Sequence, residues 1–428
     1  MQHRPQHRNW FGGMYRGVAH VAFVLAFLSV ITVVGAESGQ AQTYAETVLH
    51  SFTGAPADGT GPGALVMDAK GNLYGTTASG GTADFGTVFQ MDTTGHESVF
   101  CNFTGEGGDG ADPATGLVLD AEGNLYGATT RGGDPDCVGF RGTCGTVFKV
   151  NPQGEETVLY SFQKLVLDGA NPYAGVTLDA QGNLYGTTYR GGYDHPGAGT
   201  AYKLDTAGNE TVLHDFGSPG DGSYPWSNLV FDALGNAYGT TAFTGGSTDT
   251  HPGGTVFKID ASGNESVLYS FQGDPDGDFP LASLVFDAQG NLYGTTYRGG
   301  VYNRGTVFKL DANGNETVLH SFSGKEDGEH PQAALLLDAQ GNLYGTTENG
   351  GGAIACDGGV LGHGCGTVFK VDTSGNETVL YSFTGTAASG DGANPDAGLV
   401  QDAEGNLYGT TTRGGTTGNG TVFKLTLQ

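Results

Sequence analysis

The sequence predicts an all-β fold, a seven-bladed β-propeller with four antiparallel strands per blade, and three observations predict it. The heptapeptide Gly71-Asn72-Leu73-Tyr74-Gly75-Thr76-Thr77 returns with small changes at Gly123, Gly182, Gly235, Gly290, Gly341 and Gly405. Its copies start 51 to 64 residues apart, too far for one coil of a β-helix and suited to one propeller blade. Three other strand-forming phrases surround every copy in the same order, and one set of phrases is split between the two ends of the chain.

Each unit opens on a strand of the type Glu-Thr-Val-Leu, at Glu46, Glu97, Glu156, Glu210, Glu265, Glu316 and Glu377. An Asp-Gly-x-x-Pro loop follows, at Asp58, Asp109, Asp168, Asp221, Asp276, Asp327 and Asp391, and leads into a short apolar strand such as residues 64–68 or 283–287. Proline fits there because it can occupy the first residue of a strand. The heptapeptide comes next: Gly-Asn supplies a tight turn in which φ > 0 costs little, and Leu-Tyr-Gly-Thr-Thr is a short strand rich in aromatic and β-branched residues. A loop opening on Gly-Gly then gives a Gly-Thr-Val-Phe-Lys strand, at Gly86, Gly145, Gly199, Gly254, Gly305, Gly366 and Gly420. A second tight turn, typified by Asp311-Ala312-Asn313-Gly314-Asn315, returns the chain to the next unit. Six units are contiguous, and pairing residues 46–52 against 420–425 would close the ring and remove two open edges.

Gly and Pro make up 78 and 15 of the 428 residues, but the glycines recur in register with apolar strands, which argues for order. The 37% hydrophobic fraction suffices if each sheet buries both faces against its neighbours. At the N-terminus Arg4, Arg8 and Arg16 precede an apolar run over residues 21–34 and then small residues up to Gln42. This order predicts a secretory signal peptide over 1–41 and one propeller domain over 42–428. The apolar run is short for a membrane anchor, and no second run of spanning length follows, so no span is expected once the signal is removed. The chain carries a net charge of −27, and loss of 1–41 leaves 15 Lys+Arg against 44 Asp+Glu, a net of −29. Such a field repels nucleic acid and anionic lipid, so no nucleic-acid partner is expected.

Cys137 and Cys144, and Cys356 and Cys365, sit close together in two Gly-rich insertions, so an exported chain would oxidise each pair to a loop staple. Zinc held by these four would need two distant insertions to meet, and neither has Cys-x-x-Cys spacing. Cys101, in a strand pattern, is left as a buried inert thiol.

The phrases Gly-Asn-Leu-Tyr-Gly-Thr-Thr, Gly-Gly, Gly-Thr-Val-Phe-Lys and Glu-Thr-Val-Leu-Tyr-Ser-Phe resemble the GloVer tandem-repeat family of secreted bacterial proteins, over residues 46–428. Members often end in a surface-anchoring signal and have no generally assigned biochemical role; this chain departs from them in ending at Leu427-Gln428. More distantly, Pro-x-x-x-Leu-Val-x-Asp-x-x-Gly-Asn-Leu-Tyr is similar to NHL-type propeller repeats. That resemblance implies that the strand after the proline is innermost and the Glu-Thr-Val-Leu strand outermost.

Residues repeated in every unit read first as structural. The seven Asp-Gly aspartates suit turn bonding, with a channel-mouth ring of carboxylates holding a cation such as calcium, or a polar substrate, as the alternative. Asp274, Asp276 and Asp278 have the spacing of a calcium loop but lack its sixth-position Gly and twelfth-position Glu. The aspartates after the inner strands, from Asp68 to Asp402, and the sequon asparagines Asn209, Asn264, Asn315 and Asn376 read as turn chemistry. What breaks the repeat is more informative. Beside the loop proline stand small or acidic groups in some units (Gly61, Gly63, Asp112, Ala114, Asn394, Asp396), but Tyr173, Tyr224, Trp226, Phe279 and His330 in the third to sixth. The Gly-Gly loops add Tyr189, Arg190, Tyr193, His195, His251, Tyr297, Arg298, Tyr302 and Arg304 on the same expected face.

Aromatic faces with arginine and carboxylates suit stacking on sugar rings, so Tyr173, Tyr224, Trp226, Phe279, His330, Arg190 and Arg298 are the candidate ligand-binding residues. The alternative is that they only cover the ends of the inner strands. No catalytic motif is present, and His195, His251, His330 and His363 are single residues in separate units. The sequence therefore points to an exported, non-catalytic binding or scaffold protein of the envelope or exterior, its partner a glycan or a surface protein. The rival is a propeller hydrolase or lyase acting on carbohydrate or a lactone, with Asp112, Asp396 and His330 as acid and base candidates and a divalent cation in support.

Overall fold

Turn chemistry sets the strands. After each inner strand an aspartate closes a five-residue turn: Asp120 Oδ1 accepts the N–H of Glu122 (3.0 Å) and of Asn124 (2.7 Å), and Oδ2 accepts Asn124 Nδ2 (2.7 Å) and the Tyr126 hydroxyl (3.0 Å). The second tight turn uses the same device. There the sequon asparagines Asn209, Asn264, Asn315 and Asn376 each donate Nδ2 to the turn aspartate at 2.9 Å, as turn formation predicts.

The computed structural model describes residues 44–113, 116–137, 143–163, 168–192, 197–244, 253–352, 356, 364–386 and 390–428. The expected signal peptide over 1–41, together with Ala114, Tyr193, His195, His251 and His363, lies outside the described residues. The described chain is a seven-bladed propeller. In blade 1 the strands run from the axis outward as Val66–Met67, Leu73–Gly80, Thr87–Met91 and Glu97–Asn102. The strand after the proline is thus innermost and the Glu-Thr-Val-Leu strand outermost. Blade 7 is completed from the N-terminal side: Tyr44–Ser51 pairs antiparallel with Thr421–Leu427, in register from Tyr44 opposite Leu427 to Ser51 opposite Thr421. The expected closure extends two residues further, through Tyr44 and Ala45. Short two-residue ribbons, such as Gly110–Ala111 with Arg131–Gly132, tie the Asp-Gly loops to the heptapeptide strands and were not legible as strands in the sequence.

Three repeated contacts hold the blades. Within a blade, the heptapeptide glycine makes room for the ring of the neighbouring strand: a Cβ on Gly75 would lie 2.6 Å from Phe89 Cζ. Between blades, the Phe that ends each outer strand packs edge-on against that ring in the next blade, as Phe52 on Phe89 (5.1 Å), Phe216 on Phe257 (4.9 Å) and Phe383 on Phe423 (5.1 Å). Blade 3 alone uses tyrosine for the inner partner, and the Tyr202 hydroxyl is buried without a hydrogen-bond partner among the described residues. The last threonine of the heptapeptide shares a buried hydroxyl pair with the threonine opening the next strand, Thr77 with Thr87 and Thr411 with Thr421, both at 2.8 Å.

The Asp-Gly aspartates turn toward the outer rim and do not form a ring at the channel. Asp168 Oδ2 accepts the Tyr160 hydroxyl of the preceding outer strand (2.8 Å) and the Gln163 N–H (3.1 Å), while Oδ1 accepts its own neighbour's N–H, on Gly169 (2.7 Å). The structural reading of these aspartates holds, and the channel-mouth calcium ring is not formed. Each also faces the glutamate that opens the following outer strand. Burial, then the facing aspartate, raises these glutamates: Glu210 beside Asp168, Glu316 beside Asp276 and Glu46 beside Asp391 each to about 7, and Glu156 beside Asp109 to about 8.

Deleting residues 42–53 should strip the outer strand of blade 7 together with Phe52, giving aggregation or a large fall in Tm; a truncated chain that melts like its parent would refute the closure. The raised glutamates fix a pH dependence. The folded state holds protons up to about pH 7 that the unfolded state releases near pH 4.5, so unfolding releases protons and stability falls as pH rises. The turn aspartates, held below their usual range by hydrogen bonds, act in the opposite sense and only in acid. Tm should therefore be higher at about pH 5 than at about pH 8; melting curves that are flat or rising over that interval would contradict it.

Candidate functional site

The loop-proline column is where the repeat departs from itself, and its backbone is unusual in all seven blades. The residue before the proline has left-handed φ throughout: Gly61 (64°), Asp112 (57°), Asn171 (55°), Tyr224 (56°), Phe279 (55°), His330 (59°) and Asn394 (56°). Two hydrogen bonds impose this geometry. In blade 6 the His330 N–H donates to Arg304 O of blade 5 (2.9 Å), and its carbonyl accepts the Glu348 N–H of its own blade (3.2 Å). The proline itself packs on the glycine that opens the preceding blade's third strand: a Cβ on Gly254 would lie 2.5 Å from Pro280 Cδ. The carbonyls of Cys144 and Cys365 accept the N–H of Asn171 and Asn394, so the bridged insertions serve the same column. Cys137–Cys144 and Cys356–Cys365 are disulfides, as expected. Cys101 is free and buried, and burial followed by the charges of Glu156 and Asp109 pushes its thiol up to about 12, which keeps it protonated and inert.

Side chains of this column and of the two residues after each heptapeptide form one arc over blades 3 to 6. Tyr173 stacks on Trp226 (4.6 Å), and both meet Tyr189 edge-on (5.2 Å each). Tyr189 reaches Tyr224 (4.8 Å), Tyr224 reaches Phe243 (5.6 Å), and Phe243 reaches Phe279 (5.1 Å). Arg190 lies over Tyr189 and Tyr224, and Arg298 over Phe279 and Tyr297. Tyr297 in turn stacks on His330 (4.4 Å) and donates its hydroxyl to Glu348 (3.2 Å). All seven candidate residues therefore fall on one face and along one path. The rings are half-buried against one another, neither a fully wet platform nor core.

Tyr189 and Tyr297 link the path, as part of the Gly-Gly loop set. Phe243 and Glu348 were missed. The signal for them was the pair of columns after the heptapeptide, where arginine stands at 131, 190, 298 and 413 but Phe at 243, and threonine or alanine elsewhere gives way to Tyr189, Tyr297 and Glu348.

The acid and base candidates divide. Asp112 forms an ion pair with Arg131 Nε at 2.5 Å. Asp396 is recessed yet partly open to solvent, and burial, then the Glu348 charge beside it, raises its carboxyl to about 7. His330 stacks on Tyr297. A groove of about 670 Å³ lies on the opposite face between blades 2 and 3, among Asp120, Lys149, Asp179 and Asp205. The three aspartates are turn residues and Lys149 a strand residue of types that other blades repeat, so the groove is a property of the repeat, whereas the arc exists in one sector only.

A family model described as the Gloeobacter/Verrucomicrobia repeat matches residues 37–139 and 137–361. Comparison with curated proteins finds no match. Among solved structures, virginiamycin B lyase from Staphylococcus aureus is similar at 12% identity and a TM-score of 0.53, over 91% of this chain and 100% of that one. The extracellular domain of a putative one-component system from B. thetaiotaomicron is similar at 12% identity and a TM-score of 0.54, over 90% of this chain and 40% of that one. At such identities the likeness concerns the fold.

The left-handed column makes Tyr224 testable. Glycine at this position, as at Gly61 in blade 1, relieves a backbone cost of about 1 to 3 kcal/mol while giving up half-buried ring contacts. Tyr224→Gly should melt within a few degrees of its parent. A loss of more than about 3 kcal/mol in a denaturation curve would show that the ring is core.

Proposed function

The chain belongs to the Gloeobacter/Verrucomicrobia repeat family, and from that premise we propose that it is an exported binding protein that takes carbohydrate on the aromatic and arginine arc of blades 3 to 6. The observation that carries this reading is the placement of Tyr224, Phe279 and His330 on left-handed backbone, in a column that the other blades fill with Gly, Asp or Asn. Bulky residues with positive φ are rare and costly, and they persist where the surroundings over-determine them, commonly at ligand clamps. The arc offers the chemistry a sugar needs: ring faces for its C–H surfaces, guanidinium groups at Arg190 and Arg298, and the Glu348 carboxylate for hydroxyls. Export is supported by the charged, apolar and small-residue order of residues 1–41 and by two disulfides, which form and persist outside reducing compartments.

A second reading, a carbohydrate or lactone hydrolase or lyase, draws on Asp396, whose raised carboxyl is poised for proton transfer near neutral pH. The experiment that weighs both is a glycan array run with and without chelator, followed by product analysis of whatever is retained. Retention that disappears in Trp226→Ala and Tyr224→Gly, with melting curves near the parent's, supports binding on the arc. Turnover of the retained sugar that is lost in Asp396→Asn favours the enzyme, and a parent protein that retains no glycan refutes the proposal.

A further inference from the structure

At every blade junction three side chains meet on the outer rim. They are the fifth residue of an outer strand, the Asp-Gly aspartate after it, and the glutamate opening the next outer strand. The first of these is Tyr160, Tyr269 or Tyr381 at three junctions and Cys101 at a fourth, where it serves as a hydrogen-bond donor or a buried filler. At the remaining three it is histidine: His50, His214 and His320, with Nε2 at 3.0, 3.3 and 3.4 Å from Asp58, Asp221 and Asp327.

The junction of blades 7 and 1 goes furthest. His50 Nε2 is 3.0 Å from Asp58 Oδ2 and 3.8 Å from Glu97 Oε2, and the candidate ligand atoms of all three residues lie within 4.8 Å of one another. This is the one such convergence among the described residues. The Asp58 and Glu97 side chains are 8% and 9% exposed, and Glu97 Oε1 is buried with no hydrogen-bond partner among the described residues. The supporting shell is fixed: Asp58 accepts the Thr53 N–H (2.8 Å) and the Gly59 N–H (2.6 Å), and the His50 ring packs edge-on against Phe52 (4.8 Å). Two ionised carboxylates facing each other in a low-dielectric seam are unfavourable, and either a proton or a cation between them relieves the repulsion.

Ligand atoms held at ~2.0 to 2.2 Å by a zinc-like ion lie about 3.0 to 3.5 Å from one another, so the spacings of 3.0 and 3.8 Å from His50 are already close, and the widest, within 4.8 Å, has to close by roughly an ångström. Imidazole selects a borderline transition metal over calcium or magnesium. We propose that His50, Asp58 and Glu97 bind a divalent transition-metal ion, with zinc as the reference, and that the ion staples the closing strand to blade 1. One ligand comes from that strand, one from the loop leaving it and one from blade 1. Bound metal therefore joins the two sides of the one junction where the ring is closed by a segment remote in sequence.

The test is zinc titration of the chelator-stripped full chain by calorimetry, with melting curves at each metal level and calcium in parallel. One tight zinc equivalent that raises Tm is expected, lost in His50→Tyr and in Glu97→Gln but kept in His214→Tyr. His50→Tyr installs the residue that three other junctions carry, so the fold should tolerate it; if it does not, the isosteric Glu97→Gln decides. Zinc uptake that is equal in the parent and these seam variants, uptake lost in His214→Tyr instead, or no stoichiometric uptake at all would overturn the proposal.

Discussion

The structure depends on one contact made seven times: an aromatic ring lying over a glycine in its own blade and receiving the edge of a phenylalanine from the blade before. Phe89 over Gly75, met by Phe52, is the example at the seam. Each element of the repeat follows from it. The glycine in Leu-Tyr-Gly-Thr-Thr is required because a Cβ there would occupy the space of the ring. The Phe ending Glu-Thr-Val-Leu-x-Ser-Phe must pass the outer edge of its sheet to reach the neighbouring blade, and the bulge before it, as between Val48 and His50, bends the strand that way. Because the contact runs between blades, no blade is complete alone. The N-terminal strand brings both its ladder and Phe52 to the ring, so the seam is sealed by the same packing as the other six junctions.

A fold built by repetition leaves function to the positions that repetition does not need. Pro225 and Gly199 are locked together across a junction, as are the same two residues at other junctions, but the residue before the proline repeats only its backbone bonds, and its side-chain contacts differ from blade to blade. Its side chain is therefore free to vary, and it varies by sector: glycine or short polar groups in blades 1, 2, 3 and 7, and rings in 4, 5 and 6. The columns after the heptapeptide vary in step, with Tyr189 and Phe243 filling the spaces between those rings. An arc on one side of a near-symmetric ring is difficult to explain by stability alone, since the other sectors are stable without it.

Electrostatics divides in the same way. The turn aspartates are satisfied locally by backbone N–H groups and asparagine amides, so their charge stabilises the turns. The rim glutamates are partly buried and set against a second carboxylate in every junction, and burial first, then that charge, raises them. Proton uptake is one physical answer to that juxtaposition and a cation is another. Where the third group is a phenol the first answer suffices, and where it is imidazole the second becomes available.

Much of this molecule was legible in its sequence because the decisive interactions are local or repeat at a fixed offset. The Asp-x-x-Gly-Asn turns close on themselves within five residues, strand pairing joins neighbours in the chain, and the phase of the repeat implied closure by residues 46–52. The disulfide pairs and the left-over Cys101 were likewise readable from spacing. The sequence also marked the loop-proline column as unusual, since Tyr224, Phe279 and His330 interrupt a run of small residues. What it could not supply was which columns face one another once the blades are set side by side. That Phe243 bridges Tyr224 to Phe279 and that His50, Asp58 and Glu97 converge depend on the junction between blades. Those distances follow from the angle and spacing at which sheets pack, quantities set by Phe52 against Phe89 and its six counterparts and by no segment of the chain alone.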